Sequence, residues 1–321
     1  MLTIIGLLMV LYALYQSALI YGAVVGFLAL GFRLTQESSG YMNLGYSVNL
    51  GIGMAFGFIV IQQLNIIPIL GAPSSFILTG LFNVLVYTLF YRRMELRNYS
   101  EALIALFGLV SIYIAENGLT VVEYLMRISF PSEYWCGQAP IRFSSQHLHY
   151  RVSSAGFFID GLVEILGIFS VIILLFRWIY YTKHGALLRA VGENPSLVEV
   201  SGISSLKIKN YAWFIAGGLA GIAGIISPYV MKGEMGRDVQ LLFVPMVVAS
   251  ILAEKREPWI AGLVGMFIGF AHLILLTWGQ QYIGVWVGEY WSVVPQIFLV
   301  IVLSMKDRKL QIPSWLNPRR Q

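Results

Sequence analysis

Charged residues are scarce in this chain of 321 residues, and cysteine is almost absent. Only 12% of the residues are charged, whereas a soluble domain carries about 25%. Together with a hydrophobic content of 58% and a mean hydropathy of +0.74, this composition indicates an integral membrane protein. The single cysteine, Cys136, excludes an internal disulfide and a cysteine-ligated metal cluster.

Two further absences narrow the class of protein. No GxxxxGK[ST] sequence occurs, so the chain lacks the Walker A loop with which it would hydrolyse ATP itself. No polar segment is long enough to fold alone, and we expect a single transmembrane domain over residues 1–321. The formal net charge of +5 does not come from a basic patch interleaved with aromatic residues, so nucleic-acid binding is not predicted.

Long, continuous apolar runs predict an all-α polytopic membrane protein with about nine transmembrane helices. Broken or re-entrant helices among these spans are also compatible with the sequence. The predicted spans are Leu2–Phe32, Met42–Leu64, Ser74–Tyr91, Ser100–Ala115, Ala155–Tyr180, Tyr211–Met231, Val239–Ala253, Trp259–Trp278 and Trp291–Ser304.

Lys and Arg are distributed unequally between the two sides of this arrangement. Of the 21 basic residues, 16 lie on the side of the C-terminus. Basic residues accumulate on the cytoplasmic side of membrane proteins, so we expect a cytoplasmic C-terminus, an external N-terminus and an external loop over 116–154. The five basic residues on the external side are Arg127, Arg142, Arg151, Lys232 and Arg237.

The most informative segment is a polar, helix-forming stretch between two apolar runs, Gly185–Ile203. Its apolar residues at helical spacing are Leu187, Leu188 and Val191. Asn194 is suited to an N-cap, Pro195 to the first position of a helix and Gly202 to a helix stop. The sequence therefore predicts a capped helical hairpin at the membrane surface, within the cytoplasmic loop 183–209.

Three predicted spans carry small residues at helical spacing, which lets helix backbones approach closely. These faces are Gly45, Asn49, Gly53 and Gly57; Gly217, Ala220, Gly221 and Gly224; and Ala261, Gly265 and Gly269. Dense helix packing is the simplest interpretation of all three.

The first of these faces also follows Ser38-Ser39-Gly40 and carries polar residues. Polar groups beside a broken helix are typical of a permeation path. The alternative is an ordinary loop, with Asn49 bonded to a neighbouring helix. The predicted path residues are Asn43, Tyr46, Asn49 and Gly53.

Several motifs, read in order along the chain, point to a known family. They are Ala29-Leu-Gly-Phe32 through Gly40-Tyr-Met-Asn43, Tyr91-Arg-Arg93 with Ala102–Gly108, Leu188-Arg-Ala-Val-Gly-Glu-Asn-Pro195, Val200-Ser-Gly-Ile203, Lys207 and Ala216–Gly224. From about Tyr21 to Leu276 the chain resembles Liv-type permeases of ATP-binding-cassette (ABC) importers. That family imports branched-chain amino acids, and its relatives take urea, amides or other small polar solutes. The chain departs from the family pattern at Leu44–Ser47 and at Ala253–Pro258.

The resemblance implies a complex in which this chain is a transport subunit and not an enzyme. Two permease subunits, identical or paralogous, would lie in the lipid of the cell membrane with two cytoplasmic ATPases and an external solute-binding protein. The chain itself would bind no cofactor, because ATP and Mg²⁺ belong to the ATPases. The residues that match the family's coupling loop and are predicted to transmit the ATPase motion are Arg189, Glu193, Asn194, Pro195 and Gly202.

Other readings of the polar residues are weaker. His147 and His149, with Asp160 and Glu164, would be a metal site only if the fold brought them together. Asp160 and Glu164 are also compatible with contact to a binding protein or a solute. His272, inside the eighth span, is either functional or bonded to a neighbouring helix. A sugar or nucleoside ABC permease, a non-ABC transporter and a lipid-acting enzyme remain the alternative functions.

Overall fold

The computed structural model describes twelve α-helices and a two-stranded antiparallel hairpin within seven segments. These segments are residues 2–59, 68–129, 149–151, 158–231, 235–253, 257–291 and 293–310.

Nine of the helices, with α4 as a short extension of α3, overlap the nine predicted spans. The remaining two, α7 and α8, form the predicted hairpin. Five of the described helices are long and apolar enough to cross a membrane. The all-α polytopic fold is therefore confirmed, and the count of nine spans stays a prediction. The bounds are α1 Leu2–Ser39, α2 Val48–Phe58, α3 Pro68–Val86, α4 Arg92–Leu96, α5 Glu101–Ser129, β1 His149–Arg151, β2 Phe158–Asp160, α6 Gly161–Tyr180, α7 Lys183–Glu193, α8 Pro195–Val200, α9 Ser205–Ile226, α10 Met235–Leu252, α11 Pro258–Tyr282 and α12 Val293–Leu310.

Two helices extend beyond their predicted ends. The helix α1 continues through both serines, with the Ser38 hydroxyl bonded back to the Thr35 carbonyl at 3.0 Å, and stops at Gly40, where φ is +84°. Glycine adopts this left-handed conformation at little cost. The helix α5 continues from the predicted span into the segment predicted as an external loop, as far as Ser129.

The extension of α5 is stabilised by the first turns of α10. The Glu116 carboxylate accepts a hydrogen bond from the Gln240 amide, and Glu123 accepts one from the backbone N–H of Met235 at 3.3 Å. A carboxylate at a helix N-terminus also interacts favourably with the helix dipole. Polar residues that the sequence places in a loop therefore join two helices.

The helix α1 lies at the centre of the molecule. In its most apolar window, 89% of the residues are buried, compared with 33% for α3 with α4 and 22% for α5. It packs along α11, where a Cβ on Gly269 would lie 2.8 Å from the Cα of Gly22. Because backbones this close leave no space for side chains, the small-residue face of α11 serves helix packing.

A second close contact joins α2 and α3 to α9. A Cβ on Gly53 would lie 2.7 Å from the Cα of Gly221, and one on Gly217 would lie 2.8 Å from the carbonyl oxygen of Thr79. The other two small-residue faces therefore also pack helices together. This bundle of α1, α2, α3, α9 and α11 positions both candidate sites.

Between α3 and α4 the helix widens into one π-helical turn over Tyr87–Tyr91. Tyr87 and Tyr91 are both buried, and both face the first half of α9 through Trp213. A 3₁₀ turn over Leu44–Ser47 faces the same region and leads into α2. Irregular turns of these kinds are frequent at functional sites.

Candidate coupling hairpin and solute path

The hairpin has the capped form that its sequence predicts. The Asn194 side-chain oxygen accepts a hydrogen bond from the Leu197 N–H at 3.2 Å, and Pro195 begins α8. Gly202 has φ +79°, the left-handed conformation of a helix stop. These caps satisfy the backbone of a helix of only six residues, so α7 and α8 form a defined unit.

One side of the hairpin is held against the ends of α1 and α6. Gly192 lies on the backbone of Glu37, with no space for a side chain between them. The Arg189 guanidinium lies 4.1 Å from the centre of the Tyr180 ring and donates to the Tyr180 carbonyl oxygen at 3.4 Å. Arg189 therefore anchors α7 to the spans.

The other side of the hairpin is exposed. Leu197 and Val200 of α8 are 65% and 87% exposed, and Glu193 is also exposed. Val198, in contrast, is buried beneath the helix. Two apolar side chains presented side by side on a short rigid helix form a surface suited to a protein partner.

Two of the four predicted path residues lie together. Asn43 and Asn49 line a cavity of about 330 Å³ between α2, α3 and α5, which we call the path cavity. Its other polar residues are Asn83, Tyr91 and Ser111, and the rings of Phe82, Phe90 and Phe107 form much of its apolar wall. None of the described residues that line it is charged.

The amides of the path cavity are fixed by hydrogen bonds. The Asn49 amide donates to the Asn83 side-chain oxygen at 3.0 Å, and the Asn83 amide donates to the Trp213 carbonyl at 2.7 Å. The Tyr91 hydroxyl donates to the Asn43 side-chain oxygen at 2.7 Å. A bonded network of this kind holds polar groups inside a membrane at low cost.

The other two predicted residues face α9 and are not among the residues that line the cavity. The Tyr46 hydroxyl is fully buried and donates to the Ala216 carbonyl at 2.7 Å, and Gly53 packs on Gly221. Sequence reasoning missed Asn83 and Tyr91. A polar residue inside the apolar third span was a signal for Asn83, but a tyrosine near a span end gives none.

Among the remaining polar residues, His272 is buried between two partners. Its Nδ1 lies 3.2 Å from the Tyr21 hydroxyl and its Nε2 lies 2.9 Å from the Trp291 carbonyl. The strand register places His149 opposite Asp160, while His147 lies outside the described residues. Among the described residues, no group of three or more His, Cys, Asp and Glu residues is arranged to bind a metal ion.

The polytopic helical fold, with five helices long and apolar enough to cross a membrane among the described residues, is that of an integral membrane protein. A family model described as "Branched-chain amino acid transport system / permease component" matches residues 14–303, and the chain belongs to that family. It is thus a permease subunit of the kind that works within an ABC importer.

Two individual relatives are similar to this chain, and the name of the first agrees with the family. The chain is 26% identical over 311 residues to the "Probable branched-chain amino acid transport permease protein LivH" of Methanocaldococcus jannaschii, covering 95% of this chain and 94% of that protein. It is 28% identical over 121 residues to "Uncharacterized protein MG121" of Mycoplasma genitalium, covering 35% and 38% of the two chains. No solved structure matches the chain to a significant degree.

Proposed function

We propose that this permease carries a branched-chain amino acid, or a related small polar solute such as an amide or urea, in an importer driven by separate ATPase subunits. The family and the name of the archaeal relative support this substrate class. The observation that carries the proposal is the capped hairpin, because its exposed apolar face offers an ATPase a rigid element to move.

Some hairpin residues hold the hairpin to the spans and give it its shape, and others form the surface that binds the ATPase. Arg189 fastens α7 to α6, while Asn194, Pro195 and Gly202 give α8 its shape. Glu193 lies on the exposed side beside the apolar face of α8. A partner that moves α8 would therefore move the ends of α1 and α6 with it, as rigid-body coupling requires.

The solute path runs beside α2 through the path cavity. A small polar solute must exchange water for hydrogen bonds there, and the amides of Asn43 and Asn49 supply donors and acceptors. The phenylalanine rings of the wall suit an aliphatic side chain. Tyr46 and Gly53 contribute by fixing α2 against α9.

The complex has the hairpin and the C-terminus in the cytoplasm and the N-terminus outside, with the chain embedded in the lipid of the cell membrane. The basic residues support this orientation. A second permease subunit, identical or paralogous, and an external solute-binding protein complete it. ATP and Mg²⁺ are bound by the ATPases.

The test is ATP-driven uptake in proteoliposomes that contain the permease with its ATPase and solute-binding partners. We expect labelled leucine, or an amide that competes with it, to accumulate only with ATP. A double variant, Leu197→Asp with Val200→Asp, is expected to lose ATPase copurification and uptake, because two charges replace the apolar face. The matched control, Leu197→Met with Val200→Ile, keeps an apolar face and should keep both. ATPase binding unchanged by the aspartates would contradict the docking assignment.

A further inference from the structure

Three tyrosine rings separate the path cavity from a second cavity beneath the hairpin. Tyr91 lines the path cavity, whereas Tyr41 and Tyr87 line the second cavity, which has a volume of about 470 Å³. Pro195 of α8 lies on the wall of the second cavity. The three rings, which we call the tyrosine cluster, thus lie between the path cavity and the hairpin.

The tyrosine cluster is closely packed. The rings of Tyr41 and Tyr91 are stacked, with centres 6.1 Å apart and planes within 7° of each other. Trp213 of α9 contacts Tyr87 at 4.7 Å and Tyr91 at 4.9 Å between ring centres. Tyr41, Tyr87, Tyr91 and Trp213 are each 5% exposed or less, so the packed rings leave no opening between the two cavities here.

A largely buried ion pair holds the cluster on the hairpin side. Lys209 Nζ of α9 donates to Glu95 Oε2 of α4 at 3.0 Å, and their side chains are 9% and 20% exposed. The Tyr41 hydroxyl donates to Glu95 Oε1 at 2.9 Å, and the Tyr87 hydroxyl donates to Glu95 Oε2 at 3.2 Å. The Glu95 carboxylate therefore binds three donors from three separate parts of the chain.

The ion pair joins the segment after the π-helical turn to the segment after the hairpin. Lys209 lies in the first turns of α9, which directly follows the hairpin. Glu95 lies in α4, beyond the π-helical turn that contains both Tyr87 and Tyr91. Helix shifts are one known kind of switching transition, and single π-helical turns are frequent at functional sites.

We infer that Glu95 and Lys209 are the positioning residues of a gate formed by the tyrosine cluster, which closes the solute path on the hairpin side. The gate rests on the proposed function, since it needs a solute path to close. In the described conformation it is shut. Motion of the hairpin draws the start of α9 from α4, separates the ion pair and releases the tyrosine rings, and the path cavity then opens toward the hairpin face.

Crosslinking gives the decisive test. Glu95→Cys and Lys209→Cys are placed in a Cys136→Ser background and reconstituted with the ATPase and solute-binding partners. The double-cysteine complex lacks the ion pair, so its own uptake before crosslinking is the reference. A short, reductant-cleavable bifunctional thiol reagent should stop the ATP-driven uptake that this complex retains, and reductant should return it to the level before crosslinking. Unchanged uptake by a completely crosslinked complex would overturn the gate.

Single substitutions test the ion pair without crosslinking. Lys209→Met and Glu95→Gln should raise passive efflux of solute without ATP about tenfold, because loss of a hydrogen bond between charged groups shifts an equilibrium by about that factor or more. The ATP hydrolysed per solute should rise with the leak. The matched control Lys207→Met removes an exposed lysine from the same helix and should change neither value. If the ion pair served only stability, the two substitutions would lower the amount of assembled complex and leave its passive efflux unchanged.

Exchange of the charges separates positioning from general stability. Glu95→Lys combined with Lys209→Glu restores an ion pair between α4 and α9 and should reduce the leak of the single charge reversals. If the double variant leaks solute as fast as the single charge reversals, although all of these variants assemble, the ion pair does not position the gate. Absence of ATP-driven uptake in the unmodified complex would refute the proposed function. If the unmodified complex takes up solute and the crosslink does not change uptake by the double-cysteine complex, the gate alone is refuted.

Discussion

Asn194 shows how one side chain sustains the hairpin. Its oxygen caps α8 through the Leu197 N–H, and loss of such a cap costs about 1 kcal/mol, or about a fivefold shift in an equilibrium. We expect Asn194→Ala to lower ATP-driven uptake several-fold while the permease still inserts and assembles. Asn194→Ser, which keeps a capping oxygen, should behave as the unmodified protein. Equal uptake by all three would show that the cap is dispensable.

Gly53 is a residue whose small size serves packing. A Cβ there would lie 2.7 Å from the Gly221 backbone, and crowding a packed core typically costs about 1–3 kcal/mol. We expect Gly53→Leu to lower the thermal unfolding temperature of the purified permease, measured by intrinsic fluorescence. Gly118→Ala is the control, since a Cβ at Gly118 meets nothing within 4 Å. An unchanged unfolding temperature in Gly53→Leu would mean that α2 and α9 separate easily.

At the scale of elements, the contact between α7 and α1 decides whether hairpin motion reaches the spans. Gly192 lies directly on the Glu37 backbone, so any side chain at this position must push α7 away from α1. We expect Gly192→Val to keep ATPase binding, because α8 is unaltered, but to lose most of the uptake. Gly167→Ala on α6, where a Cβ meets nothing within 4 Å, should keep both. Normal uptake by Gly192→Val would show that hairpin motion does not reach the spans through the contact between α7 and α1.

The sequence predicts an element well when its signals are local. Asn194, Pro195 and Gly202 act within a few residues of themselves, and the hairpin has the predicted caps. Span ends were predicted less well, because hydropathy does not reveal that α5 continues along α10. The Glu95–Lys209 pair joins residues 114 positions apart, and no single-sequence pattern encodes such a contact.

The candidate path illustrates the same limit. Asn43 and Asn49 were predicted because polar residues beside a glycine face are visible in sequence. Gly53 shares that face and Tyr46 lies in the turn before α2, but both face α9, and only the packing of the helices decides which side of α2 lines a cavity. Asn83 is visible in the sequence as a polar residue inside the third span, but only the fold places it beside Asn49.

For the whole molecule, the orientation in the membrane is the remaining prediction. In a Cys136→Ser background, Ser201→Cys in the exposed hairpin should react with an impermeant thiol reagent only from the cytoplasmic side. Tyr282→Cys, at the far end of α11 and 80% exposed in the native residue, should react only from outside. Ser314→Cys, near the C-terminus, should follow Ser201→Cys. Reaction of Ser201→Cys with the impermeant reagent in intact cells would show that the topology is the reverse of the predicted one.

The π-helical turn over Tyr87–Tyr91 has a consequence for insertions and deletions. A π turn holds one residue more than the α-helix that would replace it, so the bundle has a place where chain length can change. Deletion of Thr88 should convert the turn to α-helix with both flanking faces retained. Deletion of Leu81, within regular helix, should rotate the rest of that helix by about 100°. The first protein should still assemble and the second should not, so length variation among related permeases is expected at this turn.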